Sequence, residues 1–257
     1  MKRRPYHILV CNDDGIGAAG LLALVKEMKK LGVVTVVAPD KQQSAVGHAI
    51  TMNSPLRITK VFRGKKFFGY AVSGTPADCV KIAIRAILKE KPDILVSGIN
   101  HGSNTSINII YSGTVSAATE GTILGIPSIA FSLTTYDKPD FHFAAKIAGK
   151  LAAMVLRKGI PAGTLLNVNI PPVPEKEIRG VKITRQGKTR WDDTFDVRRD
   201  PNNKEYYWLT GTLEIIDTSS DTDQIAVMNR YVSVTPIHYD LTNYRSLPAL
   251  RRWKLNA

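Results

Sequence analysis

A chain of 257 residues is long enough for one large α/β domain, and with 44% apolar and 22% charged residues it is neither disordered nor low in complexity. Lys and Arg exceed Asp and Glu by 13, a surplus that favours anionic ligands such as phosphates and also raises weak, nonspecific affinity for nucleic acid. Two cysteines exclude a disulfide framework and point to a reducing cytoplasm, and no apolar run is long enough for a signal core or a membrane span.

The chain opens on a βαβ pattern. Ile8-Leu9-Val10-Cys11 is a continuous apolar run of the kind buried on both faces of a parallel sheet. Leu21, Leu22, Val25, Met28 and Leu31 recur at helical spacing, and the β-branched run from Val33 to Ala38 reads as the second strand. Further strands are expected over 56–61 and 67–72. Thr75-Pro76-Ala77-Asp78 has the composition of a helix start: an N-cap hydroxyl, proline at the first helical position, and an acid near the positive end of the dipole. Apolar spacing carries that helix to Leu88.

Asp93 to Ser97 is the next strand. Gly98 breaks it, and a polar loop over 100–112 leads to a helix near Thr114. Beyond it a strand is expected over 126–131, a helix over 141–156, a buried strand over 165–170, and a last strand over 231–236. The stretch 184–217, rich in charge and carrying Tyr206-Tyr207-Trp208-Leu209, reads as a projecting β-hairpin that meets a partner subunit. A short basic helix is expected over 244–255. The fold class is therefore α/β with a mostly parallel sheet, its site-bearing part over 1–135, completed by 136–257.

The first strand ends in Asn12-Asp13-Asp14-Gly15. In an open α/β sheet ligands bind beyond the carboxyl ends of the strands, and two adjacent carboxylates there suit a hard divalent cation. Helix capping would need only one of them. Gly15-Ile16-Gly17-Ala18-Ala19-Gly20, with Asp40 ending the second strand, also matches the dinucleotide fingerprint. Against it, Asp13 and Asp14 stand where a pyrophosphate would approach; at an effective dielectric of ~20 a like charge at ~4 Å costs roughly 4 kcal/mol. A cation reverses that sign, so the turn reads as one that admits phosphate together with a metal.

If the strands run parallel, the loops after Cys11, Ala38 and Ser97 and the turn before Thr114 gather at one edge. They bring Asp13, Asp14, the Ser44 hydroxyl and the Asn100 amide carbonyl, an all-oxygen set suited to Mg²⁺ or Mn²⁺ rather than zinc. Taken singly, Ser44 could be an ordinary loop serine and Asn100 a turn cap. Ser112-Gly113-Thr114 has the small and hydroxylic composition of an anion-binding helix start, and Asn104 adds an amide nearby. His48 and His101 are further acid-base candidates, although satisfied core or surface histidines are the commoner kind.

Several segments resemble one family in order along nearly the whole chain: Asn12-Asp13-Asp14-Gly15, Ala38-Pro39-Asp40 followed by Ser44, Gly74-Thr75-Pro76-Ala77-Asp78-Cys79-Val80, Ser97 to Asn104, Tyr111-Ser112-Gly113-Thr114-Val115 and Val232 to Pro236. They are similar to the SurE stationary-phase survival proteins, which are metal-dependent nucleotidases. The resemblance implies a Rossmann-like three-layer core, metal binding by Asp13, Asp14, Ser44 and Asn100, one divalent ion per subunit, and a hairpin and C-terminal segment exchanged in a homodimer or homotetramer. It implies hydrolysis of nucleoside monophosphates, with 3′-monophosphates and short polyphosphate as further substrates. Ser106, Asn108 and Ser116 depart from it, standing where glycine, aspartate and glycine are common.

The resulting expectation is a cytoplasmic phosphomonoesterase without membrane or specific nucleic-acid partners. Asp13 and Asp14 anchor the metal, and Asn104, Ser112, Gly113 and Thr114 hold the phosphate. The nucleophile is a water or one of the aspartates. A noncatalytic nucleotide- or nucleic-acid-binding protein is the rival expectation.

Overall fold

A computed structural model describes residues 4–137 and 139–253. Nine strands form one sheet in the order β3-β4-β2-β1-β5-β6-β7-β11-β8, and two more form a separate hairpin. The strands of the large sheet are β1 (Tyr6–Cys11), β2 (Gly32–Pro39), β3 (Ile58–Arg63), β4 (Lys66–Val72), β5 (Ile94–His101), β6 (Ser128–Leu133), β7 (Thr164–Ile170), β8 (Gly180–Ile183) and β11 (Tyr231–His238). All its pairings are parallel except β3 with β4 and β7 with β11. Strands from both halves of the chain thus share one sheet.

The helices are α1 (Ala19–Met28), α2 (Pro76–Ile82), α3 (Asn108–Tyr111), α4 (Gly113–Ile123), α5 (His142–Lys158), α6 (Asp223–Met228) and α7 (Leu247–Leu250). Alternation along β1 decides which layer each side chain joins. Ile8 and Val10 pack with Leu21 and Leu24 of α1 and Ala148 of α5, whereas Leu9 and Cys11 pack with Cys79 and Val80 of α2 and Ala117 of α4. Each fully buried aliphatic side chain contributes about 1.5–3 kcal/mol relative to exposure. The two layers therefore hold β1 from both sides, and its carboxyl end is fixed in place.

The order of connection places the site. From β1 the chain passes through α1 to β2 and then to β4, all on one side; after α2 it returns to pair β5 with the opposite edge of β1. The crevice between the carboxyl ends of β1 and β5 is thus the topological switch point, the usual ligand position in an open α/β sheet.

Several expectations shift. The helix expected to reach Leu88 ends at Ile82 and widens into a π-helical turn over Ala83–Ile87, with the Leu88 N–H donating to Ala83 O at 2.8 Å. In place of a basic helix over 244–255, only the single turn Leu247–Leu250 forms. It buries no side chain, and a short helix without a packed face does not propagate; Leu255 lies outside the described residues. The expected hairpin is present as β9 (Thr189–Arg199) and β10 (Glu205–Ile215), paired antiparallel and exposed almost throughout. Strand β8 and helices α3 and α6 had no periodic signal long enough to mark them.

Candidate metal and phosphate site

The loops meet at the sheet edge through their backbones. Gln43 N–H donates to Asp13 O at 2.8 Å, Ile16 N–H to Pro39 O at 2.9 Å, and Gly47 N–H to Tyr111 O at 3.1 Å, so the segment carrying Ser44 is tied to β1 and to the end of α3. Asn12 Nδ2 closes the first turn onto Gly15 O at 3.0 Å. Gly15 sits at φ +96°, a left-handed conformation that a side chain would strain. A cavity of about 240 Å³ results, lined by Asp13, Ser44, Asn100, His101, Asn104 and Ser112 among others.

Asp13 is the best anchored of these. Only 4% exposed, it accepts the Thr114 hydroxyl proton, and the Thr114 backbone N–H adds a second bond from the first turn of α4. Gly113 makes the approach possible, because a Cβ there would stand 2.7 Å from Asp13 Cβ and 3.0 Å from Oδ2. The anion site foreseen at this helix start is therefore filled by the protein's own carboxylate. Thr114 is fully buried behind Asp13 and acts through it, while Ser112 reaches the cavity and caps α4 by accepting Val115 N–H at 3.1 Å.

Burial pushes the Asp13 carboxyl up from 3.8 to about 6; the hydrogen bond from Thr114 opposes the rise and the neighbouring Asp14 charge adds to it. Burial raises Asp14 as well, against the bond from the His101 backbone N–H at 3.3 Å. Two strained carboxylates beside each other favour a cation. The remaining donors agree in chemistry: Asn100 Nδ2 donates to Gly102 O at 2.9 Å, which leaves the amide oxygen for ligation, and the Ser44 hydroxyl oxygen accepts from Gln42 Nε2 at 2.8 Å. Among the described residues no group of three or more His, Cys, Asp and Glu could hold a metal; the candidate donors here are two carboxylates with a hydroxyl and an amide oxygen. The residues present fit a hard divalent ion.

The two histidines separate. His101 lines the cavity with Nε2 donating to Asp137 O at 2.7 Å. His48 instead binds Glu120 at 3.0 Å; the Glu120 carboxylate also accepts from Lys81 at 2.7 Å, and the two partners hold it below its usual range although burial alone would raise it. Asn104 is buried, its Nδ2 donating to Ser132 Oγ at 2.8 Å and its backbone oxygen accepting from the Asn167 amide at 2.8 Å.

A survival protein SurE family model matches residues 8–193. The chain belongs to the SurE family. The 5′-nucleotidase SurE of Chlorobium chlorochromatii is 56% identical over 249 residues, spanning 97% of this chain and 92% of that protein. The 5′-nucleotidase SurE of Flavobacterium johnsoniae is 50% identical over 258 residues and the full length of both chains. The crystal structure of the SurE protein from Aquifex aeolicus superposes with a TM-score of 0.83 at 45% identity, covering 95% of this chain and 98% of that one.

The structure gives two of the three departures from the SurE pattern a partner in the site region. Ser106 adopts φ +53°, where glycine is at ease, and is held by Asp223, which accepts its backbone N–H at 2.8 Å and its hydroxyl at 3.0 Å. Asn108 Oδ1 accepts the Trp191 indole N–H at 2.9 Å. Ser116 bonds back within α4, to Ser112 O at 2.6 Å. Asp223, fully buried and also accepting Gly187 N–H at 2.9 Å, joins the polar loop to the base of the hairpin. Nothing in Thr222-Asp223-Gln224 marks it as anything but a helix start, so sequence reasoning missed it. Tyr136 and Trp191, both lining the cavity, were missed because they come from distant segments.

Proposed function

We propose that the chain is a metal-dependent nucleotidase that hydrolyses nucleoside 5′-monophosphates to nucleoside and phosphate. The single observation that carries this reading is the Asp13 carboxylate, buried, held by Thr114 and set beside Asp14 at the switch point of the sheet. Relatives named 5′-nucleotidase across essentially the whole chain support it. Asp13, Asp14, Ser44 and Asn100 would hold one divalent ion, Mg²⁺ or Mn²⁺, which when bound supplies Lewis acidity toward the phosphoryl oxygens.

The chain's own residues do the remaining work. Thr114 fixes which oxygen of Asp13 faces the cavity, and Ser112 directs a hydroxyl toward the phosphate. Gly113 leaves room for the Asp13 carboxylate at the start of α4. Asn104 shapes the cavity wall opposite, locked by Ser132 and Asn167. His101, rather than His48, would deliver a proton to the leaving alkoxide, a reading supported by its place in the cavity lining and by the bond of His48 to Glu120. Action on 3′-monophosphates and short polyphosphate would use the same cradle.

The reading includes a cytoplasmic location, supported by two free buried cysteines, and a homodimer or homotetramer, supported by the exposed hairpin. Among the described residues no helix is long and apolar enough to cross a membrane. The test is phosphate release from nucleoside mono-, di- and triphosphates with Mg²⁺ or Mn²⁺ and with chelator. Metal-dependent turnover of the monophosphates is expected. Nucleic-acid binding with a steep salt dependence and no turnover would favour the noncatalytic alternative.

A further inference from the structure

Three aromatic side chains stand at the cavity without a folding role that accounts for them. Tyr111, Tyr136 and Trp191 line it together with the metal and phosphate candidates, yet remain 51%, 75% and 38% exposed. Burial of large rings is normally what stabilises a fold, and these three are left facing solvent beside a polar site. They come from three separated parts of the chain: the end of α3, the segment after β6, and the first turns of β9.

Two of the rings are set in place. The Trp191 indole N–H donates to Asn108 Oδ1 at 2.9 Å, which fixes the indole at the base of the hairpin. Tyr136 lies against Gly102, where a Cβ would come within 2.9 Å of ring atom Cε1 and where φ is +125°. A side chain at 102 would therefore push the ring away. Several polar side chains around them each hold one partner within the protein: Asn108 Oδ1 with Trp191, Ser103 with Thr105 at 2.9 Å, Asn104 Nδ2 with Ser132, and His101 Nε2 with Asp137 O. The three exposed rings add apolar surface for a planar group to an otherwise polar cavity.

We propose that Tyr111, Tyr136 and Trp191 form a stacking platform for the nucleobase of the substrate, selecting by ring area rather than by hydrogen bonding. This rests on the nucleotidase reading of the same cavity. Stacking on an aromatic side chain tolerates any base and favours purines over pyrimidines for their larger face. Adenine and guanine nucleotides should accordingly be turned over with similar efficiency, both ahead of cytosine and uracil nucleotides.

The test compares kcat/KM for adenosine 5′-monophosphate with that for ribose 5-phosphate, which carries the same phosphate and sugar without a base. Dividing the two cancels damage to the shared metal and phosphate groups. In Tyr136→Ala the ratio should fall about tenfold, through KM, while Tyr136→Phe retains it; Tyr111→Ala should lower it in the same direction. Trp191→Phe should keep most of the ratio because a ring remains. An unchanged ratio in both alanine variants, with wild-type turnover intact, overturns the platform. Absence of metal-dependent turnover of adenosine 5′-monophosphate by the wild-type chain overturns the nucleotidase reading itself, a separate and distinguishable result.

Discussion

At the residue scale the site turns on one carboxylate whose surroundings pull in opposite directions. Burial lifts Asp13 to about 6 and the α4 start partly restrains it. A folded-state value above the unfolded one means that the protonated form is favoured on folding. This contribution to stability is complete below about pH 4 and is lost as pH rises through 6. The metal-free protein should thus carry a penalty of about 3 kcal/mol at neutral pH from this group alone. Thermal unfolding should show Mn²⁺ raising Tm strongly at pH 7.5 and far less at pH 5, where protons compete for the same oxygens. An equal increment at both pH values would contradict a metal held by Asp13. Thr114→Val removes the hydroxyl that orients the carboxylate and should lower metal affinity and kcat/KM about 10- to 100-fold, measured by calorimetric titration and steady-state kinetics.

At the scale of elements, the packing between α1 and β5 has no spare room. Gly20 lies so close to β5 that a Cβ would stand 2.0 Å from Ile99 O, a backbone atom that cannot move aside cheaply. Gly20→Ala should therefore cost about 3 kcal/mol and lower Tm by several degrees in a thermal melt, with the metal site displaced as β5 shifts. Gly17 has nothing within 4 Å of the same hypothetical atom, so Gly17→Ala should be nearly neutral. The contrast resolves the dinucleotide-like spacing in structural terms: its last glycine serves helix-strand packing, its first serves the turn, and its middle one is not required by contact.

The same contrast shows what sequence could and could not convey. The strands of the core were legible because each carries a short buried apolar run, such as Ile8 to Cys11 in β1, Val36 to Ala38 in β2, Ile94 to Val96 in β5 and Ile129 to Phe131 in β6. Asp13, Ser44, Asn100 and Ser112 were legible as a group because parallel strands bring their carboxyl ends to one edge. The role of Thr114 was not, since only the packed structure shows that the helix start is taken by Asp13. His48 looked equivalent to His101 for the same reason: its partner Glu120, which also accepts from Lys81, lies far along the chain, and no local pattern announces it.

At the scale of the whole molecule the projecting hairpin is the least explained by the single chain. Phe195, Tyr207, Trp208 and Leu209 are 61%, 59%, 58% and 63% exposed on two strands that, among the described residues, pair only with each other. Exposed apolar surface of this kind is what a protein–protein interface uses, and the proposed homo-oligomer would use it here. Replacing Trp208 and Leu209 by serine should shift the mass measured by light scattering toward the monomer; an unchanged mass would place the interface elsewhere. Because Trp191 begins the same hairpin and faces the cavity, loss of assembly should also weaken substrate binding.

The most direct measurement is phosphate release from adenosine 5′-monophosphate as a function of free Mn²⁺, for the wild-type chain and for Asp13→Asn. Saturable metal dependence, abolition by chelator, and a loss of at least about a hundredfold in the variant are the expected results. Turnover that survives chelation, or that Asp13→Asn leaves unchanged, would contradict a catalytic metal centre at the end of β1.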